Sequence, residues 1–346
     1  MPSFRGVTGM SLLLEARNIS KVFTSGGFGQ QQRTVAVDRV TLNLSSDTGS
    51  IVALAGESGS GKTTLGRILL GLETPTQGEV LYRGNNLTKV GKQDRKTFRR
   101  EVQAIFQDPF AVYNPFYKID HVFNIAIGKY NLASSKDEAR HLVEQAIRAV
   151  GLRPEETLGR YPHQLSGGQR QRIIVARVFL LKPKIVIADE PVSMVDASLR
   201  ATILEALREL HRTQNMSILY ITHDLNTAYQ VADNIMIMYR GNIVEAGDVE
   251  QVINQPEHLY TKLLVNSIPI PDPTKKWINL SSMATPPFHG TSIGQGMCKF
   301  VDRCSAAVEA CKTSDLPFYR TSDTRMTRCL LYEESSPVPI DTVLDY

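Results

Sequence analysis

The segment GESGSGKTT, which follows the apolar run IVALA, has the residue types and spacing of a phosphate-binding loop between a strand and a helix. Its glycines let the backbone curl until successive N–H groups converge on nucleotide phosphates, and the following helix adds its dipole. Lys62 would supply a positive charge between the phosphates, and the hydroxyl of Thr63 is suited to Mg²⁺. A glycine-rich turn without a ligand is the alternative. The predicted nucleotide-binding residues of the loop are Gly56, Glu57, Ser58, Gly59, Ser60, Gly61, Lys62, Thr63 and Thr64.

Two adjacent acids, Asp189 and Glu190, end the apolar run KIVIADE. At the strand period they point to opposite sides of the chain, so Asp189 can reach the Mg²⁺ hydration shell while Glu190 faces a γ-phosphate and polarises an attacking water. A solvated end of a strand is the alternative. His223 in YITHD follows another apolar strand, where its imidazole could contact the γ-phosphate, although a lone histidine there is more often structural. Together these residues indicate hydrolysis of a nucleoside triphosphate.

From Leu12 to about Val265, short apolar runs alternate with helical patterns, and these elements must position the residues named above. This alternation is typical of an α/β protein with a largely parallel sheet. IVALAG, KIVIAD and SILYIT are predicted buried strands. The segment from Ser135 to Leu152 is a predicted helix with Ser135 as its cap. After Asn266 the composition changes to the linker-like SIPIPDP and TPPF, which predicts a domain boundary there.

Bulk composition excludes several classes of protein. The net charge of +4, from 39 basic and 35 acidic residues, is too small to indicate nucleic acid as a partner. The longest apolar runs are much shorter than the roughly 20 residues that a membrane span needs, and no signal-peptide core is visible. We therefore expect the chain to stay in the cytosol, where thiols are kept reduced.

Five motifs occur in an order that resembles the nucleotide-binding subunit of ABC transporters. They are the phosphate-binding loop, Gln107 in AIFQDP, LSGGQ from Leu165 to Gln169, IVIADE and His223. The resemblance covers about residues 12–265 and implies an α/β fold, namely a P-loop ABC-type nucleotide-binding domain with a RecA-like core, an antiparallel β-subdomain and a helical subdomain at about residues 108–163. We accordingly expect this domain at residues 1–265 and a small Cys-rich C-terminal extension at residues 266–346.

The resemblance also implies that two such domains pair head to tail, so that LSGGQ of one closes over the ATP bound by the other. Ser166, the N–H groups of Gly167 and Gly168, and Gln169 stand at the start of an apolar helix, where an anion site is physically reasonable. An ordinary helix start capped by Ser166 is compatible with the same residues.

The resemblance also implies roles for several single residues. Phe23 would stack on adenine, with a packing role as the alternative. Gln107 would contact Mg²⁺ or the attacking water. It would also transmit the state of the bound nucleotide to the helical subdomain, which binds the permease in this family. Asp196 matches the loop after the catalytic glutamate, although the sequence there is SMVD and not the commoner SALD. Glu190, His223 and Gln107 are thus the expected catalytic residues, and Thr63, Gln107 and Asp189 the expected Mg²⁺ ligands.

Two further stretches, QDPFAVYNP and PEHLYT from Pro256 to Thr261, look like the ATPases of oligopeptide and dipeptide importers. The implied function is ATP hydrolysis that energises peptide uptake. The implied partners are a second ABC ATPase, favoured to be a paralogue over an identical copy, two membrane permease subunits and an extracytoplasmic solute-binding protein. The implied location is peripheral, on the cytoplasmic face of the cell membrane.

Three alternatives to peptide import remain open. Related importers take up oligosaccharides or nickel with similar ATPases. Soluble ABC ATPases of DNA repair or translation usually carry long coiled-coil insertions or two tandem ATPase domains. This chain has room only for a compact helical subdomain between Lys62 and Asp189, and it has one phosphate-binding loop. A P-loop kinase or GTPase leaves LSGGQ unexplained, and the chain lacks the Asn-Lys-x-Asp guanine signature.

All four cysteines, Cys298, Cys304, Cys311 and Cys329, lie in the C-terminal segment, separated by five, six and seventeen residues. A reducing cytosol argues against two disulfides. Four thiolates could bind zinc or an iron–sulfur cluster, and the close cysteine pairs typical of zinc sites are absent. Extensions of some peptide-importer ATPases look similar and hold a 4Fe-4S cluster, so this resemblance favours 4Fe-4S over Zn²⁺. Unligated thiols are the third alternative.

Overall fold

The computed structural model describes residues 12–26, 32–45, 49–108, 112–268, 297–313, 315–338 and 344–345. Most of the predicted linker, SIPIPDP from its first proline onward and all of TPPF, lies outside these residues, as do residues 109–111 of QDPFAVYNP. Within the described ranges, every helix is too short or too polar to cross a bilayer.

The described strands form two sheets. In chain order they are β1 (Leu12–Ser25), β2 (Gln32–Ser45), β3 (Ile51–Ala55), β4 (Gln77–Tyr82), β5 (Asn85–Asn86), β6 (Val102–Ile105), β7 (Ile185–Asp189), β8 (Ser217–Thr222), β9 (Asn234–Tyr239), β10 (Asn242–Asp248), β11 (Phe318–Ser322), β12 (Arg325–Thr327), β13 (Ser336–Val338) and β14 (Leu344–Asp345). The larger sheet has nine strands in the order β13-β11-β12-β10-β9-β3-β8-β7-β6, and the smaller has the order β14-β2-β1-β4-β5.

The centre of the larger sheet is parallel. Strand β3 pairs in parallel with β8 and β9, and β7 pairs in parallel with β8 and β6. Because the carboxyl ends of parallel strands meet at one edge, the residues that follow β3, β6, β7 and β8 come together there. These residues are the phosphate-binding loop, Gln107, the acidic pair and His223. The predicted strands IVALA, IVIAD and SILYIT are confirmed.

The described helices pack mainly against the larger sheet or against one another. In chain order they are α1 (Lys62–Leu69), α2 (Lys92–Glu101), α3 (Asp120–Tyr130), α4 (Lys136–Ala149), α5 (Pro154–Thr157), α6 (Gly167–Leu181), α7 (Ala197–Gln214), α8 (Leu225–Val231), α9 (Val249–Asn254), α10 (Leu259–Asn266) and α11 (Ala310–Thr313). Apolar side chains pack on both faces of the sheet in two clusters, one of which includes Ile173 and Ile218 and the other Leu54 and Leu219. The predicted cap of α4 is confirmed, because the Ser135 hydroxyl accepts a hydrogen bond from the Glu138 N–H at 3.1 Å.

The C-terminal segment continues the larger sheet. Strand β12 pairs antiparallel with β10, where Glu245 lies opposite Thr327 and Gly247 opposite Arg325. Strands β11 and β13 then extend the sheet outward. The division into residues 1–265 and 266–346 stays a prediction, and the described strands beyond it share their hydrogen-bonding ladder with the nucleotide-binding domain.

Candidate nucleotide-binding site

The loop between β3 and α1 needs glycine at two positions for steric reasons. Gly56 has a φ of +151° and Gly61 a φ of +107°, conformations that other residues rarely adopt. A Cβ at Gly56 would overlap the carbonyl oxygen of Met238, and a Cβ at Gly61 would overlap that of Ala36. The backbone of the loop therefore packs directly against neighbouring backbone, and α1 begins with its N–H groups facing the loop.

Lys62 is buried inside this loop. Its Nζ donates to the carbonyl oxygens of Gly56 and Glu57, at 2.8 Å in each case. Burial lowers the pKa of Lys62, and the negative charges of Glu190 and Asp189 oppose that shift. The ammonium group is thus placed among backbone oxygens at the point where phosphates of a bound nucleotide would lie.

Thr63 and Asp189 bring two oxygen ligands together. The Thr63 hydroxyl donates to Oδ1 of Asp189 at 3.2 Å, and burial raises the pKa of Asp189. Hydroxyl and carboxylate oxygens are the hard ligands that Mg²⁺ prefers, and this ion binds proteins through few such groups plus phosphates and water. The residues present therefore fit Mg²⁺.

Glu190 adopts a left-handed backbone conformation. Its φ is +47°, and its N–H donates to the carbonyl oxygen of Ile221 at 2.9 Å. Such a conformation costs a residue other than glycine on the order of 1 kcal/mol. Strand β7 ends at Asp189, so the strand alternation expected from the sequence does not extend to Glu190.

The Glu190 carboxylate is held by two polar side chains. Gln107 Nε2 donates to Oε2 at 2.9 Å, and His223 Nδ1 lies 2.8 Å from Oε1. The Glu190 side chain is 16% exposed and that of His223 is 56% exposed. A carboxylate fixed on both oxygens beside the phosphate-binding loop has the arrangement of a base that orients water. The structure therefore brings together the three residues predicted to be catalytic.

The LSGGQ segment begins helix α6 with a reciprocal cap. The Ser166 hydroxyl accepts from the Gln169 N–H at 3.2 Å, and Gln169 Oε1 accepts from the Ser166 N–H at 2.9 Å. Gln171 in the same helix is buried and donates to the carbonyl oxygen of Phe106 at 3.3 Å. Helix α6 is thus linked to the residue that precedes Gln107. The capping role of Ser166 that the sequence allowed is confirmed.

Phe23 and Asp196 are both exposed. The Phe23 ring lies on β1 with Lys21 Nζ at 5.0 Å from its centroid. Asp196 immediately precedes α7. The roles predicted for these two residues stay predictions.

The four cysteines line one cavity of about 310 Å³. All four are free thiols, and burial raises the pKa of Cys298 to about 11. However, within the described ranges no group of three or more His, Cys, Asp or Glu side chains is arranged to hold a metal ion. The thiols surround the cavity without forming a ligand group, so the predicted iron–sulfur or zinc site is not supported by the structure.

Sequence reasoning assigned no role in the site to two residues that contact the loop. Tyr260, in the PEHLYT element, accepts a hydrogen bond from the Glu57 N–H at 2.9 Å. Arg303, between two of the cysteines, donates to Oε1 of Glu57 at 3.2 Å. The PEHLYT element was visible in the sequence, but no local pattern connects either residue with a loop some 200 positions earlier.

Family models match two parts of the chain. One, described as ABC transporter, matches residues 39–193. The other, described as oligopeptide/dipeptide transporter, C-terminal region, matches residues 244–311. The first range contains the phosphate-binding loop, LSGGQ and Glu190, and the second contains PEHLYT.

Relatives match almost the whole chain. The putative oligopeptide transport ATP-binding protein YkfD of Bacillus subtilis (strain 168) is 37% identical over 93% of this chain and 96% of its own length. The dipeptide transport ATP-binding protein DppF of Escherichia coli (strain K12) is 38% identical over 86% of this chain and 88% of its own length. These matches cover more of the chain than the two family models do.

Solved structures also resemble the chain. The ATP-binding cassette MJ0796, in a dimeric post-hydrolysis state bound to ADP and Pi, matches with a TM-score of 0.61 and 27% identity, over 68% of this chain and 99% of that one. The predicted ABC-type fold is confirmed for the cassette, whereas a distinct Cys-rich extension is not confirmed. The chain belongs to the ABC transporter family, among the ATP-hydrolysing subunits of oligopeptide and dipeptide transporters.

Proposed function

We propose that this chain binds and hydrolyses MgATP at the cleft between its phosphate-binding loop and Glu190, and so drives the import of dipeptides or oligopeptides through a membrane permease. The observation that carries the proposal is the Glu190 carboxylate, held by Gln107 at 2.9 Å and His223 at 2.8 Å. The names of the relatives, which are peptide transport proteins, support peptides as the solute.

Different residues of the chain perform different parts of ATP binding and hydrolysis. Lys62 and the N–H groups of the loop bind the phosphates. Thr63, Asp189 and Gln107 would hold Mg²⁺, which when bound neutralises phosphate charge. Glu190 accepts a proton from the attacking water, and His223 contacts the γ-phosphate while it orients that carboxylate. Phe23 stacks on the adenine ring. Asp196, in the loop before α7, contributes to the nucleotide-binding site.

The second half of each ATP site comes from another ATPase subunit. Ser166 and the N–H groups of Gly167 and Gly168 stand at the start of α6, where the helix dipole favours an anion. We favour a paralogous partner over an identical copy. The MJ0796 cassette was solved as a dimer, which supports the pairing itself.

The remaining partners belong to the membrane. We place the chain on the cytoplasmic face, with the helical segment at about residues 108–163 against two permease subunits and a solute-binding protein on the opposite side of the membrane. The exposed side chains of Phe116 and Ile125 in this segment, 85% and 52% exposed, supply apolar area for such a contact.

We further propose a 4Fe-4S cluster at Cys298, Cys304, Cys311 and Cys329, with Zn²⁺ as the alternative. The proposal rests on the resemblance of this segment to the extensions of some peptide-importer ATPases and on the position of all four cysteines around one cavity of about 310 Å³. Binding would require the thiols to move closer and lose their protons. Anaerobically purified protein with about four irons per chain supports the cluster, stoichiometric zinc supports the alternative, and metal-free protein rejects both.

Uptake by the reconstituted complex tests the main proposal. The chain, copurified with its permease and second ATPase, is placed in vesicles with the solute-binding protein, and ATP-dependent accumulation of labelled dipeptide, oligopeptide, oligosaccharide and nickel is compared. We expect peptide uptake, and we expect Glu190→Gln to abolish it. Glu205→Gln, which changes an exposed glutamate on α7, is the matched control. Accumulation of oligosaccharide or nickel alone would replace the proposed solute, and an absence of ATP hydrolysis would overturn the proposal.

A further inference from the structure

We propose that Tyr260 and Arg303 are positioning residues that hold the phosphate-binding loop through Glu57, so that the region after β10 sets the affinity of the site for ATP. The inference rests on the proposed function of the loop. It assigns a role in nucleotide binding to residues outside the five motifs of the cassette, and it concerns the chain's own side chains only.

Tyr260 is the more deeply buried of the two positioning residues. Its hydroxyl accepts from the Glu57 N–H at 2.9 Å, and its side chain is fully buried. The ring packs on Tyr239 at a centroid distance of 4.4 Å and on Phe300 at 5.6 Å. A buried ring held on two sides cannot swing away, so the hydroxyl stays where it meets the backbone of the loop.

The peptide groups around Glu57 connect this contact to the ammonium group in the loop. The Glu57 carbonyl oxygen accepts from Lys62 Nζ at 2.8 Å and from the Ser60 N–H at 3.2 Å. Glu57 is therefore bonded to Tyr260 through its N–H and to Lys62 through its carbonyl. A shift of the Glu57 backbone would carry Lys62 and Ser60 with it.

Arg303 holds the Glu57 side chain. Its Nη1 lies 3.2 Å from Glu57 Oε1 and 3.4 Å from the Tyr239 hydroxyl, and its guanidinium carbon lies 5.5 Å from the centroid of the Phe300 ring. The Arg303 side chain is 15% exposed and that of Glu57 is 43% exposed. An unpaired carboxylate in a loop that binds polyphosphate would repel the ligand, so the guanidinium also cancels an unfavourable charge.

The segment that carries Arg303 is itself anchored to the nucleotide-binding domain. Lys299 Nζ pairs with Asp38 Oδ2 at 2.7 Å, and both side chains are less than a tenth exposed. It also donates to the carbonyl oxygen of Arg240 at 3.0 Å. Arg303 therefore contacts Glu57 from a segment whose own position is fixed, and a positioning residue requires such a segment.

Nucleotide affinity and steady-state kinetics of the full chain test the proposal. We expect Arg303→Leu and Tyr260→Phe each to weaken Mg²⁺-ATP binding by calorimetry, and to raise KM, by about fivefold, the order expected for one partly exposed ion pair or one hydrogen bond. We expect kcat to stay within about twofold because Glu190, Gln107 and His223 are untouched. Arg303→Lys keeps the charge and should recover most of the affinity.

Asp315→Asn is the matched control. It breaks two other ion pairs of the C-terminal segment, Arg39–Asp315 at 2.8 Å and Arg328–Asp315 at 3.5 Å, without touching Glu57, so it should leave KM for ATP unchanged. Thermal midpoints of all variants report whether the fold is intact. A wild-type chain that fails to bind ATP would refute the proposed function, whereas normal KM values in both Arg303→Leu and Tyr260→Phe would refute only the positioning role.

A double-mutant cycle with Glu57→Gln separates positioning from general charge attraction. If Arg303 acts through Glu57, adding Arg303→Leu to the Glu57→Gln chain changes the affinity for ATP by less than about twofold, because that chain has no carboxylate for Arg303 to hold. If Arg303 instead attracts ATP directly, its loss costs the same about fivefold in affinity on either Glu57 background. The first result supports the proposal and the second overturns it.

Discussion

Nδ1 of His223 lies 2.8 Å from Oε1 of Glu190, although the two residues are 33 positions apart in the chain. They follow the neighbouring parallel strands β8 and β7, whose carboxyl ends meet at the same edge of the sheet. Gln107, which follows the next strand outward, reaches the other oxygen of the same carboxylate at 2.9 Å. The sheet order therefore assembles a fixed carboxylate beside the phosphate-binding loop.

Replacement of Glu190 by Gln should separate binding from hydrolysis. The amide keeps the size of the side chain but cannot accept a proton, so ATP should still bind while turnover falls about 10² to 10⁴-fold. Phosphate release measures the turnover and equilibrium binding measures the affinity for ATP, both on the same preparation. Wild-type turnover in Glu190→Gln would contradict the assignment of Glu190 as the base.

Ser166→Arg should act on the partner's ATP and leave this chain's own ATP bound. The arginine fills the anion site at the start of α6, so binding by the isolated subunit should stay within about twofold while hydrolysis by the assembled pair is lost. Ser135→Ala removes an equivalent helix cap on α4, at a cost of about 1 kcal/mol, and controls for loss of the cap alone. Lost binding in the isolated Ser166→Arg subunit would instead place Ser166 in its own site.

Gly61→Ala should damage the loop far more than Gly84→Ala. Both glycines have positive φ, +107° and +74°, but only at Gly61 would a Cβ meet backbone, the carbonyl oxygen of Ala36. We expect Gly84→Ala to cost about 1 kcal/mol of stability with normal ATP affinity. Gly61→Ala should weaken ATP binding by more than about tenfold because the loop must shift. Calorimetry and thermal midpoints distinguish these effects, and equal affinities in the two variants would argue against a tightly packed loop.

His258 should make the stability of the chain depend on pH. Burial lowers the pKa of His258 to about 4, and its Nδ1 accepts from the Tyr260 N–H at 3.1 Å, which requires the neutral ring. The unfolded chain protonates near pH 6.5 and the folded chain does not, so the contribution is fully present above pH 6.5 and is lost as pH falls toward 4. Between pH 7 and 5 this amounts to about 2 kcal/mol.

Urea unfolding at pH 7 and pH 5 measures that loss. His258→Asn keeps a short acceptor at the start of α10 but does not titrate, so its midpoint should change less between the two pH values than that of the wild type. An equal change in both chains would show that other groups cause the pH dependence.

Local features of the site could be predicted because they depend on residues only a few positions apart. The turn of the phosphate-binding loop requires its own glycines, the caps at Ser135 and Ser166 involve residues three positions away, and an apolar run predicts a buried strand by itself. The order of five motifs was sufficient to identify the family. The same local reasoning failed at Glu190, where strand alternation stops because the backbone turns left-handed at the strand end.

Tertiary structure alone decided which distant residues meet. Glu57 is bonded to Tyr260 and Arg303, which are 203 and 246 positions later, because β9 and β10 and the segment after them lie beside the loop. It also decided that strands after the predicted boundary join the main sheet, and that four thiols line a cavity without forming a compact ligand group. Such contacts depend on strand order and on the packing of whole elements, and no residue's local preference specifies either.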